Sequence, residues 1–276
     1  DSNVEESYKK IISKLENVFS FFEMINDKSI FAKVLSTNKK DITNDIDIWI
    51  LTRLNEILVS TTKAMNNYRL DTATRSFEKF IDDLSTWWLR RSRERLKGEY
   101  GNTEEEKLNN KIISQYILHT TLNDLSRIIA PFMPFIAERV YQGINIENAK
   151  KRESVHLESW PTEFLKIDQD ILKEMEIIRE LVQKILFIRQ NLKINVRQPM
   201  GRLILGKDYK TLSEDNLRIL IDEVNFKAVE IDEDIAENKY EEGAKWLFHK
   251  FDKENTCSSI IIDKEITPTL KREGDY

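Results

Sequence analysis

Residues 77–97 read FEKFIDDLSTWWLRRSRERLK, and in this stretch an apolar helix face leads directly into a cluster of cations. At helical spacing one face is formed by Phe77, Ile81, Leu84 and Trp88. One and two turns further along the same face lie Arg91 and Arg95. The stretch therefore predicts a buried helix whose C-terminal end carries guanidinium groups.

The end of this helix is strongly positive, although the chain as a whole has a net charge of −5. Its cations are Arg90, Arg91, Arg93, Arg95 and Lys97, and only Glu94 opposes them. Positive charge is thus a local patch rather than a general nucleic-acid coat. Aromatic rings beside arginines supply base stacking and bidentate phosphate contacts. We therefore predict that these five cations contact RNA at the end of a helix bundle, with Trp88 packed at the base of the site.

The same residues also allow a purely structural explanation. Arg-rich helix ends often lie in solvent, and Glu78, Asp82 and Asp83 are close enough in sequence to pair with them. Tandem tryptophans such as Trp87 and Trp88 are typical of a protein core. The residues alone leave both explanations open.

The composition is that of a helical protein with a substantial core. The 276 residues are 40% hydrophobic and include 7 Gly and 5 Pro, so long helices with few tight turns are expected. The single cysteine, Cys257, excludes an internal disulfide and a cysteine-based zinc site, and it fits a reducing cytoplasm. No apolar run is long enough to cross a bilayer. The two ends, Asp1 and Tyr276, give the expectation of a fragment of a longer protein.

The first part of the chain predicts an up-and-down helical bundle with short polar links. A first helix is expected over residues 4–26, and Asn44 or Asp45 is the expected cap of a second. Asp71 is the expected cap of the helix quoted above, and Gly98 ends that helix.

A fourth helix and an extended segment complete this part. Thr103 and Glu106 form a capping box at the start of the helix. Pro131 and Pro134 predict a kink or a fresh helix start. Residues 153–161 lack a helical period and read as extended chain. We therefore assign residues 1–160 to one α-helical domain.

Residues 161–276 predict a small, truncated α+β domain. Helices are expected over residues 168–192 and 237–253, and a third begins at a capping box of Thr211 and Glu214. Short strands are expected at residues 203–205, 226–231 and 259–262.

The chain lacks the motifs of common catalytic sites. It has no Gly-rich phosphate loop, no Gly-x-Ser-x-Gly and no His-Glu-x-x-His. His119, His156 and His249 lie far apart, and His119 on an apolar helix face predicts a core histidine. We therefore predict no catalytic residue, no metal site and no cofactor in these residues.

A second group of cations surrounds the sequence NVRQP at residues 195–199. Arg197 and Gln198 are suitable donors to phosphate or base edges, and Pro199 would stiffen their approach. They are second-rank candidates for RNA contact. The alternative is a turn between helix and strand whose arginine caps carbonyl groups.

Several segments resemble, in order and spacing, the C-terminal region of class I aminoacyl-tRNA synthetases. In the subgroup of isoleucine, valine and leucine enzymes the likeness is carried by residues 47–54 (DIWILTRL), 86–95 (TWWLRRSRER), 130–135 (APFMPF) and 154–161 (SVHLESWP). The later segments look like the isoleucine enzyme, namely residues 195–199 (NVRQP), 224–230 (VNFKAVE) and 266–274 (ITPTLKREG).

The resemblance implies that residues 1–160 are an anticodon-binding domain and that residues 161–276 begin the domain after it. It implies a parent enzyme that joins isoleucine to tRNA-Ile with ATP and Mg²⁺, through catalytic and editing parts outside this sequence. The expected partner is the anticodon stem-loop of tRNA-Ile, bound by a cytoplasmic monomer that contacts neither DNA nor membrane.

The sequence departs from the family pattern at two places, and both affect individual aromatic contacts. Trp87-Trp88 stands where the family usually has Trp-Tyr, and Leu96-Lys97 where Phe-Trp is common. The alternatives to the isoleucine enzyme are the same domain of a valine or leucine enzyme, or a non-catalytic helical module that binds proteins.

Overall fold

The computed structural model describes residues 8–145, 151–163, 166–232, 246–249, 260–263 and 265–274. Its contacts divide the chain into two compact units, Asp1–Gln169 and Asp170–Tyr276. The domain limits expected from the sequence, 1–160 and 161–276, stay a prediction, because a division by contacts does not show that either part folds alone.

The first unit is a bundle of helices. Its α-helices are α1 (Lys14–Ile25), α2 (Phe31–Leu35), α3 (Asp45–Asn66), α4 (Leu70–Asp82), α5 (Arg90–Lys97), α6 (Glu104–Ile129) and α7 (Pro134–Ile144). Two π-helical segments, Tyr8–Ser13 and Asp83–Leu89, and two short 3₁₀ turns, Lys39–Asp41 and Val155–Leu157, complete it. The mainly helical fold predicted from the sequence is confirmed.

Local sequence signals account for four of the helix ends in this unit. Asn44 caps α3 by accepting the Ile46 amide at 3.1 Å, and Thr103 caps α6 by accepting the Glu106 amide at 3.1 Å. Gly98 follows α5 with a φ of 80°, a conformation that glycine adopts without steric cost. Pro134 occupies the first turn of α7, so the proline pair starts a fresh helix.

The expected cap at Asp71 is wrong. Helix α4 begins at Leu70, so the residue that precedes it is Arg69 and not Asp71. The Arg69 side chain makes no capping hydrogen bond. Asp71 lies instead in the first turn, where a carboxylate is favoured by the helix dipole, and it pairs with Arg75 at 3.1 Å.

Residues 70–97 form one helix without a break, and its middle part is π-helical rather than α-helical. The junction residues Asp83 and Arg90 keep right-handed helical angles, with φ values of −56° and −59°. Because a π turn holds more residues than an α turn, it rotates the faces that follow. Ser92 therefore takes the buried position one turn after Trp88, while Arg91 lies half-buried at the edge of that face.

The core of the bundle lies around α3. Its buried apolar side chains are Ile46, Trp49, Ile50, Leu51, Leu54, Ile57, Leu58 and Ala64. Each fully buried large apolar side chain contributes about 1.5–3 kcal/mol relative to exposure. Because so many of its side chains are buried, α3 is the rigid helix against which the 70–97 helix packs.

The second unit is a small α+β arrangement. Its helices are α8 (Gln169–Asn191), α9 (Glu214–Val224) and α10 (Pro268–Gly274), and its strands are β1 (Met200–Gly206), β2 (Phe226–Asp232), β3 (Trp246–His249) and β4 (Ile260–Asp263). The strand order is β2-β1-β4-β3. Strands β1 and β2 are parallel and joined through α9, whereas β4 is antiparallel to both β1 and β3.

Two expectations in this unit are corrected. Helix α9 is capped by Ser213, which accepts the Asn216 amide at 3.2 Å, and not by Thr211. Residues 246–249 form a strand rather than part of a helix over 237–253, because they pair along β4. The other residues of that expected helix lie outside the described residues, as does Cys257.

Candidate nucleic-acid interface

Asp47 joins α3 to the cationic end of the 70–97 helix. Its carboxylate is fully buried, and it accepts the Trp88 indole N–H at 2.8 Å. The same carboxylate receives both terminal nitrogens of the Arg95 guanidinium, with Nη1 at 3.1 Å. Trp88 and Arg95 are thus anchors inside the protein, with exposed fractions of 0% and 7%.

This geometry corrects the expected contact set. Arg95 was predicted to contact RNA, but its charge is used by a buried carboxylate and its side chain does not reach the surface. Trp88 lies beneath the site, as its expected packing role requires, and it offers no ring face to a base. Neither residue is therefore retained as a direct RNA contact.

A second ion pair holds the other end of the π-helical segment. Arg53 on α3 donates through Nε to the Asp83 carboxylate at 3.0 Å. Asp83 is the first residue of that segment, and its side chain is almost fully buried. Together with the Asp47 contacts, this pair fixes the 70–97 helix against α3 on both sides of the π turns.

Three predicted cations face outward. Arg90, Arg93 and Lys97 are all exposed along α5. The guanidinium carbon of Arg93 lies 5.7 Å from the centre of the Phe21 ring on α1. This distance fits a cation–π contact that leaves the donor edge of the guanidinium in solvent. The outward face of α5 can therefore donate to phosphate oxygens.

Arg91 has an intermediate position. It donates from Nη1 to the Trp87 carbonyl at 2.8 Å, and its guanidinium carbon lies 3.3 Å from the centre of the Trp87 ring. Stacking on the indole orients the guanidinium plane but covers one of its faces. Arg91 is half-buried, so it contributes charge at the edge of the site.

A cleft of about 460 Å³ opens beside Lys97, and we call it the Lys97 cleft. It is lined by Met24, Ile25, Asn26, Asp27, Lys28, Leu96, Lys97 and Lys111. Its lysines outnumber the single acid Asp27, and Met24 adds an apolar wall that is 68% exposed. An apolar side chain beside cations suits a nucleotide, which has a base and a phosphate.

The carboxylate of Asp27, the single acid of the cleft, is already engaged in contacts with neighbouring side chains. The Ser29 hydroxyl donates to it, and Lys111 Nζ lies 3.0 Å away. These contacts lower the pKa of Asp27 to about 2. Of the cleft residues the sequence pattern identified only Lys97 as a contact, because the others come from different helices and from the loop after α1.

In the second unit, Arg189 shapes the loop at residues 195–198. Its buried guanidinium donates to the carbonyls of Val224, Asn195 and Gln198, the first at 2.9 Å. Burial lowers the pKa of Arg189 to about 10, so it remains charged at neutral pH. The carbonyl-capping turn, one of the two explanations of this region, is therefore present.

The two candidates in this loop have different surroundings. Arg197 is exposed, while its carbonyl is held by the Asn225 side chain at 3.0 Å. Gln198 uses its amide nitrogen on the Leu270 carbonyl at 2.7 Å, which ties the loop to α10. Arg197 remains a candidate for phosphate contact, and Gln198 is committed to the fold.

His119 belongs to the core of the bundle. His119 is buried and lies edge-on to Phe31, with ring centres 5.6 Å apart, as expected of a core histidine. Within the described ranges, no three His, Cys, Asp or Glu side chains are grouped as a metal site requires. No helix in the described part of the chain has the length and apolar character needed to span a membrane.

Comparison with known proteins gives one family. A sequence-family model described as the anticodon-binding domain of tRNA ligase matches residues 47–205. The isoleucine–tRNA ligase of Clostridium novyi is 30% identical over 240 residues, which are 86% of this chain and 22% of that protein. The corresponding protein of Chlamydia caviae is 34% identical over 233 residues, 83% of this chain and 22% of its own length.

A more distant organism gives the same result. The isoleucine–tRNA ligase of Pyrococcus abyssi is 35% identical over 190 residues, 67% of this chain and 17% of that protein. The chain thus spans about a fifth of the length of the relatives that it matches.

Proposed function

Because the chain belongs to the anticodon-binding domain family of tRNA ligases, we propose that it binds the anticodon stem-loop of tRNA-Ile as part of an isoleucine–tRNA ligase. The observation that carries the proposal is the outward row of Arg90, Arg93 and Lys97, held on a helix that is fixed from beneath. A rigid row of donors binds RNA with little loss of conformational entropy.

The chemistry of recognition follows from the surface. The bases of an RNA loop can leave their stack and lie against aromatic, apolar or guanidinium faces, each worth about 1–3 kcal/mol. Arg93 and the Lys97 cleft supply such faces beside positive charge. We assign phosphate contact to Arg90 and Lys97, and a base or ribose to the cleft.

The second unit adds one candidate contact. Arg197 is exposed on a loop that Arg189 holds from inside. We propose that it contacts the tRNA backbone, since a single arginine on a fixed loop suits a phosphate better than a base.

In this proposal the chain recognises RNA and performs no chemistry. ATP and Mg²⁺ act in other parts of the parent enzyme, where isoleucine is activated and transferred. The proposal includes a monomer in the cytoplasm and a site for tRNA rather than for DNA.

The test compares tRNA-Ile with the same transcript carrying a replaced anticodon, both bound to this chain. Filter binding at several salt concentrations should show tighter binding of the unaltered transcript. The logarithm of its affinity should fall with that of salt, by about 0.7 per neutralised phosphate of a single strand. Equal affinity for both transcripts would contradict anticodon recognition.

The same assay separates the alternatives. A preference for a valine or leucine tRNA would assign the chain to one of those enzymes instead. Absence of salt-dependent RNA binding would remove the proposed function and leave a helical module that binds proteins.

A further inference from the structure

We propose that Asp47 is a positioning residue for tRNA recognition, which fixes the rotation of α5 without touching RNA. This inference rests on the function proposed above. It assigns a role to a fully buried carboxylate that lies on a different helix from the exposed cations.

The contacts of Asp47 restrain α5 more strongly than packing alone. Its two oxygens accept from Trp88, at the end of the π-helical segment, and from Arg95, near the end of α5. Because the two donors lie about two turns apart along the helix, α5 cannot rotate about its axis without breaking at least one of these hydrogen bonds. Charge-assisted hydrogen bonds in a buried site are also directional.

The π-helical segment is the reason that such a restraint is needed. π-helices are rare, and they occur mostly as local bulges within α-helices. Conversion of this segment to α-helix would shift the residues after it by about 100° per residue. Arg53 holds Asp83 at the first residue of the segment, and Asp47 holds Trp88 close to its end. Helix α3 therefore fixes the register of the π turns from both sides.

A slip of register would change the charge of the exposed face. The positions now occupied by Arg90, Arg93 and Lys97 would pass to the preceding residues in the sequence. These are Leu89, Ser92 and Leu96. A row of three cations would become two leucines and a serine, which cannot bind a polyanion. The orientation fixed by Asp47 is thus what makes the face cationic.

The test compares Asp47→Asn with Asp71→Asn in the whole chain. Both substitutions remove one negative charge and the carboxylate partner of an arginine, but Asp71 pairs with Arg75 on the exposed surface. If charge alone mattered, both variants would bind tRNA slightly more tightly. We expect Asp71→Asn to do so and Asp47→Asn to bind about tenfold more weakly, as expected from the loss of one good contact. Equal or tighter binding by Asp47→Asn would overturn the proposal.

A second variant distinguishes the loss of α5 positioning from simple unfolding of the bundle. Replacing a buried ion pair with apolar residues often preserves stability, so Asp47→Leu combined with Arg95→Met should keep the bundle folded but lack the hydrogen bonds to Trp88 and α5. We expect its tRNA affinity to remain low while its helical circular dichroism is retained. Wild-type affinity in this double variant would show that packing alone positions α5, and would overturn the proposal.

A measurement without RNA separates this inference from the proposed function. Backbone amides of residues 90–97 should exchange hydrogen faster in Asp47→Asn than in Asp71→Asn. Identical exchange would show that Asp47 does not fix α5, whatever the chain binds. If the unaltered chain fails to bind tRNA, the proposed function fails, and the exchange data still decide whether Asp47 holds the helix.

Discussion

The guanidinium carbon of Arg93 on α5 lies 5.7 Å from the centre of the Phe21 ring on α1. An exposed cation is thereby supported by an aromatic ring from another helix. The contact limits the rotamers of a long side chain and so lowers the entropy lost when it binds a phosphate. It also places Arg93 near the Lys97 cleft, whose wall includes Met24 and Ile25 of the same helix α1.

The first prediction concerns the outward cations. The double variant Arg93→Gln/Lys97→Gln should bind tRNA about 10- to 100-fold more weakly, since each lost contact contributes about 0.5–1.5 kcal/mol net and two are removed. Its affinity should also depend less on salt, because fewer counterions are released. Filter binding across a salt series measures both changes.

The matched control for this variant is Arg75→Gln/Lys79→Gln. These residues are exposed on α4, within the same continuous helix, and the control removes the same two charges. We expect a small, uniform loss from the change in net charge. If the control weakens binding as much as the double variant on α5, the site is not at α5.

The second prediction concerns Arg95, whose guanidinium pairs with the buried Asp47 carboxylate. Arg95→Ala should destabilise the bundle by about 3–5 kcal/mol, because it leaves the Asp47 charge buried with no cationic partner. Arg91→Ala should cost about 1 kcal/mol, the size of its contact with Trp87. Urea denaturation followed by tryptophan fluorescence measures both, with the exposed Arg75→Ala as control. A loss below 1 kcal/mol for Arg95→Ala would contradict the assigned role of Asp47.

The helices of the first unit could be predicted because their signals are local. The apolar period of α3, the caps Asn44 and Thr103, and Pro134 each act within one or two turns of their own position. Even so, the same reasoning failed at Asp71, where a carboxylate in the first turn resembles a cap in sequence.

The inward direction of Arg95 could not be predicted in the same way. It depends on Asp47, which lies on another helix, and on a π-helical segment that no local sequence pattern predicts. Strand β3 is a similar case, since residues 246–249 are extended through pairing with β4 rather than through their own period. The cationic cluster was identified from sequence, but which of its members reach solvent depends on tertiary contacts.

The third prediction concerns the loop of the second unit. Arg189→Met should cost at least about 3 kcal/mol, because the carbonyls of Val224, Asn195 and Gln198 lose a charged donor. Amides of residues 195–198 should exchange hydrogen faster in this variant. Arg218→Met is the control, since Arg218 is an exposed residue of α9 with only long ion pairs, and we expect a change within about 0.5 kcal/mol.

The fourth prediction is a dependence of stability on pH that comes from His119. Burial lowers the pKa of this histidine to about 4 from its ordinary value of 6.5, although hydrogen bonds with Asn145 and Ile144 oppose the shift. Between these values the unfolded chain binds a proton that the folded chain does not. The free energy of unfolding should therefore fall as pH decreases from 6.5 to 4, by about 1.4 kcal/mol per pH unit.

The measurement is the urea midpoint at steps of pH between 7 and 4, compared between the unaltered chain and His119→Met. Methionine has no titrating group, so the variant should lose the part of the slope that begins at pH 6.5, whatever its own stability. Asp27 acts in a different window: its pKa of about 2 lies below its ordinary 3.8, so the stability that it contributes is lost only as pH falls through that lower range. His156→Gln, a change at an exposed histidine, is the control and should leave the slope in place. An unchanged slope in His119→Met would mean that folding does not shift the pKa of His119, which its buried position beside Phe31 argues against.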